Sequence, residues 1–155
     1  MEDAAAIRLA TTPWVMPIER GKIREFAGAT GSDHPQYMLS QNAVVPPTFL
    51  VTAGFFWGET IENPGDGPFS RIDVDRTLLL HAEEEVEFFG EPPHAGDLLE
   101  VVSFIDETWS KTKRGSGTPL TFLAIVSEFR NAQDVLIGRL RTVVVYDPGE
   151  QKHGG

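Results

Sequence analysis

The chain has 155 residues, 41% of them apolar, with 13 Lys plus Arg against 23 Asp plus Glu, a formal charge of −10. That length suits one domain with a substantial core, and the acidic balance argues against nucleic acid or an anionic membrane surface as a partner. The absence of cysteine excludes disulfides, thiolate chemistry and cysteine-type zinc sites.

The first residues, Met1-Glu2-Asp3-Ala4, lack the basic and apolar regions of a signal peptide. No apolar run approaches the roughly 18 residues that cross a bilayer. A cytoplasmic location is the expectation. Residues 1–13 are expected as a flexible N-terminus, 14–146 as a single domain and 147–155 as a flexible, Gly/Pro-rich tail.

Trp14-Val15-Met16 opens the domain as a short strand. Glu19–Ala29 follows with Ile23, Phe26, Ala27 and Thr30 at helical spacing, and Gly31 stands where a helix C-terminus favours glycine. Pro46-Pro47 then begins a run, Phe49 to Trp57, that is apolar on every face. Proline suits the first helical position, and a helix apolar all round is a buried one, so 47–58 is expected as a buried helix about 18 Å long. A buried strand is the competing reading. Gly54 and Gly58 within it would allow close approach of a sheet or a ligand chain. Asn63–Pro68 is a loop by composition.

Beyond Ile72 the period changes to two. Leu78–Phe89 alternates Glu83, Glu85 and Glu87 with Val86 and Phe88, and Glu83, Glu84, Glu85 and Glu87 read as a solvated strand face rather than a catalytic carboxylate pair. Glu91–Asp97 turns the chain, Leu98–Lys111 is extended, and Thr112–Thr118 is a basic hairpin loop. Leu120–Arg130 and Leu136–Tyr146 are the last strands, parted by a turn at Asn131–Asp134. Strands of 11 to 14 residues exceed the usual five or six and twist enough to wrap around something. The fold class is α+β, a long curled antiparallel sheet around one buried apolar helix: the hot-dog architecture. Such a sheet leaves a free edge that invites pairing with a second copy or a homologue.

The chain resembles the MaoC-like hot-dog hydratases and dehydratases, in the N-terminal-half or fatty-acid-synthase-type version. The resemblance rests on Ile18–Ala27 running into Thr30-Gly31, on Pro46–Leu50, Leu80–Glu85 and Ala95–Leu99, and on Lys113–Gly117 followed by Leu120-Thr121-Phe122. Together these cover roughly residues 14–146. The resemblance implies paired hot-dog units, with an acyl thioester of coenzyme A or a carrier protein lying in a tunnel along the central helix. It implies no metal and no organic cofactor; the four histidines also lack metal-ligand spacing.

Active members carry a loop Gly-Asp-x-Asn-Pro-x-His, whose Asp and His hold and deprotonate the water. Here Gly31 and Pro35 frame the loop, but Ser32, His34 and Tyr37 stand at the Asp, Asn and His positions. Serine with no adjacent base abstracts no proton at neutral pH, and a tyrosine near its ordinary pKa of about 10 is a poor base. Pro46-Pro47 occupies the place of a glycine amide that would polarise the thioester, and proline has no N–H to give. The catalytic pair is therefore read as not intact. Asp33, His34 and His81 remain as fallback acid–base groups. The structural reading has Asp33 capping the turn, His34 replacing a loop Asn, and His81 hydrogen-bonded in a strand.

Pro47, Phe49, Phe55 and Phe56 are the candidates for lining the acyl tunnel, with core filling as the competing role. Lys111, Lys113 and Arg114 form a dense basic cluster suited to the phosphates of coenzyme A or to an acidic carrier protein, or to an ordinary solvated hairpin tip. The expected role is an accessory, tunnel-shaping subunit paired with a catalytic hot-dog chain. A homodimeric hydratase using relocated residues and a non-catalytic acyl-thioester binding module are the alternatives. A thioesterase is disfavoured, because no carboxylate lies between Pro46 and Gly58.

Overall fold

A computed structural model describes residues 10–56, 67 and 75–147. Strand β1 (Trp14–Pro17) leads into helix α1 (Arg20–Ala29) and a short helix α2 (Pro35–Met38). A 3-10 turn over Phe49–Thr52 continues as helix α3 (Ala53–Phe56). After a 3-10 turn at Arg76–Leu78 come β2 (Leu79–Phe88), β3 (Leu98–Thr112), β4 (Pro119–Arg130) and β5 (Leu136–Tyr146). The described strands form one antiparallel sheet in the order β1-β3-β4-β5-β2.

The α1 terminus follows from Gly31, whose φ of +75° suits glycine. Ser32 N–H donates to Ala27 O (2.8 Å) and Gly31 N–H to Gly28 O (3.1 Å), which satisfies the last carbonyls of the helix. Ile23 and Ala27 face inward, and Phe26 meets Phe49 edge to face at 5.6 Å.

One face of the sheet carries the two core clusters, while Phe104, Ala124, Val126 and Val143 are buried on the other. Leu99, Val101, Phe129 and Leu140, with half-buried Val86 and Phe88, pack under Met16, Ile18, Ile23, Phe49 and Leu50. Farther along the same face, Leu123, Ile125 and Val144 form a second cluster with Leu79 and Ile105. Two hydroxyls, Ser103 and Ser127, 2.7 Å apart, sit in register between the two clusters. Thr11, within the segment expected to be flexible, is buried. It exchanges hydrogen bonds with Ser103, through its N–H to Ser103 O (2.8 Å) and from Ser103 N–H to its Oγ1 (3.0 Å).

The central segment differs from the expected helix 47–58. Pro47 and Thr48 precede the helical turns, and the first turn is 3-10, with Phe49 N–H on Pro46 O and Val51 N–H on Thr48 O. Neither proline has an N–H, and Thr52 Oγ1 donates back to Phe49 O at 2.8 Å, which favours the tight turn. The segment is not buried all round either, since Gly54 is exposed. Among the described residues, a Cβ on Gly54 would touch nothing within 4 Å, so no described strand approaches it closely. The close approach lies in the sheet, at Gly138, where a Cβ would fall 2.8 Å from Leu50 Cδ1. Gly58 and the rest of the expected helix lie outside the described residues, as does the 63–68 loop apart from Gly67.

Candidate functional site

The loop with Ser32, His34 and Tyr37 is a helix entry. His34 is the residue before α2, and Pro35 takes the first helical position, where its missing N–H costs nothing. His34 Nδ1 accepts the Gln36 N–H at 3.3 Å, and Ser32 Oγ lies 3.5 Å from His34 N. The cap is thus His34, where the sequence pointed to Asp33. An Nδ1 that accepts a hydrogen bond leaves the proton of the neutral ring on Nε2. Tyr37 lies 5.3 Å from the His34 ring, centroid to centroid, and packs against the first core cluster.

His81 is placed differently. In a regular strand, residues three apart point to opposite faces. The irregularity between His81 and Glu83 inserts Ala82, so His81 and Glu84 come to the same face, opposite Val144 and Thr142 respectively. His81 Nε2 lies 2.6 Å from Glu84 Oε2 and 3.0 Å from Glu83 O. Thr142 Oγ1 donates to the other oxygen of Glu84 at 2.9 Å. Both neighbours of Nε2 are acceptors, so that nitrogen carries a proton and donates to them. This carboxylate-held imidazole borders the second apolar cluster through Val144. The sequence reading named His81, took Glu84 for part of a solvated strand face and did not name Thr142; the bulge instead turns Glu84 to the face of His81, and no residue type signals it.

The basic cluster lies at the same end of the sheet. Lys113 Nζ binds the Asp147 carboxylate at 2.9 Å, and Asp147 N–H points to Leu78 O, next to the start of β2. Lys111 Nζ stands 5.1 Å over the Phe122 ring, itself stacked on Trp109. Arg114 is exposed and has no ion-pair partner among the described residues. His81 and the basic cluster thus share one end of the sheet, but Lys111, over Phe122, lies on the face opposite to His81. The structure leaves Ser32, His34 and Tyr37 with the first core cluster.

Of the tunnel candidates, Phe49 is 1% exposed and fills the core, while Pro47 is exposed. The side chains of Phe55 and Phe56 lie outside the described residues. An open cleft of about 490 Å³ runs between Pro17–Arg20, Gln41 and Ala95–Leu98. Its guanidinium, Arg20, is engaged in holding Ser40 O (Nε, 2.8 Å), and none of the acid–base candidates lines it. Among the described residues no three His, Asp or Glu gather as a metal site, and no helix is long and apolar enough to cross a membrane.

A model of the FAS1-like dehydratase domain region matches residues 5–139. The chain belongs to this family. A UPF0336 protein of Streptomyces griseus subsp. griseus is 31% identical over 98 residues, which is 57% of this chain and 61% of that protein. The match thus spans less than two thirds of that relative's length. Among solved structures, the HadBC (3R-hydroxyacyl-ACP dehydratase) complex of Mycobacterium tuberculosis has a TM-score of 0.63 at 19% identity, over 87% of this chain and 95% of that one. The ChsH1–ChsH2 complex of the same organism has a TM-score of 0.61 at 12% identity, over 88% and 83%. The fold is the hot-dog fold of the MaoC-like dehydratases.

Proposed function

We propose that this FAS1-like dehydratase chain is the accessory, tunnel-shaping subunit of an enoyl-thioester hydratase/3-hydroxyacyl-thioester dehydratase. Its partner is a related hot-dog chain that carries the catalytic Asp and His. The observation that carries this reading is the state of the loop at 31–37. His34 Nδ1 caps α2, and Ser32 and Tyr37 stand where the family's Asp and His would be. Two fold neighbours being complexes of two different chains supports a paired assembly. In the reaction, water adds across the 2-enoyl double bond, its hydroxyl to C3 and a proton to C2, and the reverse step eliminates water. Neither direction needs a metal or an organic cofactor, and coenzyme A or an acyl carrier protein holds the acyl group. Here Arg114 and the neighbouring lysines meet the carrier's phosphates or acidic face, and the second apolar cluster borders the acyl chain.

The test is a hydration assay on crotonyl-CoA with this chain alone, a MaoC-like catalytic chain alone, and both together. The expected result is no turnover by this chain and a rate or chain-length range for the pair that the catalytic chain lacks. A lone chain as fast as the pair would end the accessory reading.

One observation favours a second reading, a homodimeric hydratase. His81 is held by Glu84 beside an apolar wall, an arrangement in which a neutral imidazole serves as a general base. Turnover by the lone chain that falls about 100-fold or more in His81→Ala, and survives in His34→Ala, would establish it.

A further inference from the structure

Ser103 on β3 and Ser127 on β4 stand directly opposite each other, and their hydroxyls meet at 2.7 Å. The surroundings on that face are apolar. Val101 and Ile105 flank Ser103 along its strand, Phe129 and Ile125 flank Ser127, and Leu140 lies across from Ser127 on β5. Ser103 is 9% exposed, and both of its main-chain groups are bonded to Thr11. Val101 and Phe129 are fully buried and close the pair off on the side of the first cluster. Ser127 and Ile105 are half-buried, so access to the hydroxyls is from the second cluster.

One proton of this pair is left over. Two hydroxyls bring two O–H groups, and the bond between them uses one. The hydroxyl that accepts keeps its own proton, and no acceptor for it stands among the described residues. A desolvated donor without an acceptor costs free energy, whereas two apolar groups of the same shape would be nearly neutral there. An apolar wall with a spare proton suits a ligand that is apolar over most of its length and brings an oxygen to this point. On the accessory reading, the acyl chain enters from the hairpin-tip end and runs past Leu123, Ile125 and Val144. Ser127 lies about 13 Å beyond Leu123 along β4, at the rise of a strand. Just past it, Phe49, Leu50 and Phe129 fill the first cluster, so the chain ends at the hydroxyls.

We propose that Ser103 and Ser127 determine specificity for an acyl chain that carries an oxygen function, a hydroxyl or a keto group, near its far end. This deepens the accessory reading, on which it rests for the path of the acyl chain. The pair donates its spare proton to the ligand oxygen, while Leu123, Ile125 and Val144 bury the methylenes before it. A plain hydrocarbon chain meets the same wall but leaves that proton unbonded. A site built around a polar group rejects the analogue that lacks its counterpart for this reason.

Isothermal titration of this chain with saturated acyl-CoA esters of one medium length tests the assignment. The esters are the plain one, its ω-hydroxy counterpart, and a counterpart with a keto group next to the terminal methyl. Both oxygenated esters are expected to bind about tenfold tighter than the plain one, the size of one hydrogen bond away from water. The keto group accepts but cannot donate, so its advantage reports a proton given by the protein. Ser103→Ala/Ser127→Ala should reverse the order, because a ligand oxygen would then be buried without a partner. Equal binding of all the esters by wild type, which a pair holding only water would give, overturns the proposal. So does binding of none, or a preference unchanged in the double variant. Should that variant fail to fold, the keto ester against the plain one decides with wild type alone. A gain in the paired hydration assay without any preference for oxygenated chains sinks the specificity site and leaves the accessory role standing. A preference in titration without a gain in that assay does the reverse.

Discussion

Gly138 and Leu50 fit together where the central segment meets the sheet: a Cβ on the glycine would lie 2.8 Å from Leu50 Cδ1. Leu50 is fully buried. Gly138→Ala is expected to destabilise by about 1–3 kcal/mol through overpacking. Leu50→Ala alone should cost about 2–5 kcal/mol through the cavity it leaves. Each change relieves the other, so the double variant should lose clearly less than the sum. Urea unfolding of the four proteins measures this, and additive losses would show that the two side chains do not contend for the same space.

The long strands were legible because their residues alternate. Leu136–Tyr146 lies where the sequence placed it, and β3 and β4 each begin or end within one residue of expectation. The two features that build the site were not legible. A bulge is one extra residue with no composition of its own, so nothing in Leu-Leu-His-Ala-Glu-Glu tells that His81 and Glu84 share a face. The expected helix was misjudged for a related reason: apolar side chains report burial, and they do not distinguish a 3-10 turn from an α-helix. His34 and Pro35 were read as remnants of a catalytic loop, although a Pro at the first helical position is also the mark of a helix start. The hydroxyl pair Ser103–Ser127 went unnoticed because neither serine is unusual until the register sets them opposite.

That pair gives a second prediction. Ser103 is nearly buried between two apolar clusters, and its hydroxyl meets Ser127 at 2.7 Å. Ser103→Ala removes one partner and leaves the other hydroxyl to be desolvated alone, at a cost of about 1–3 kcal/mol. Ser103→Ala/Ser127→Ala removes both and should be less damaging than the two single losses added. Thermal unfolding of the set gives the coupling, and a double variant as weak as the sum would place the stabilisation elsewhere.

Entry into β2 responds to acid. The Asp75 carboxyl accepts the Thr77 hydroxyl (2.7 Å) and the Thr77 N–H (2.9 Å), and these bonds hold its pKa below the usual carboxylate value. The folded value is the lower one, so the contribution is present above the unfolded pKa and fades as pH falls through the folded pKa. Thr77→Val removes the larger cause and should move the Asp75 titration upward, toward that of an ordinary aspartate. A carboxyl-carbon NMR titration follows it directly. An unchanged midpoint would mean the hydroxyl bond is not made in solution.

The hairpin tip separates Arg114 from Lys113, although the sequence sets them side by side. Lys113 is committed to Asp147 at 2.9 Å, whereas Arg114 stands exposed without an ion pair among the described residues. If the tip meets a phosphate or an acidic carrier, Arg114 is the cation free to do so, and a guanidinium can engage phosphate through two parallel bonds. Arg114→Ala should raise the KM of the paired enzyme for its acyl-thioester about fivefold at low salt and leave kcat unchanged, as expected for a lost exposed contact of about 1 kcal/mol. Lys113→Ala should do less, because its charge is already neutralised. Equal effects of the two cation removals, or no salt dependence in either, would return the tip to the status of a solvated turn and move the carrier's binding face to another part of the molecule.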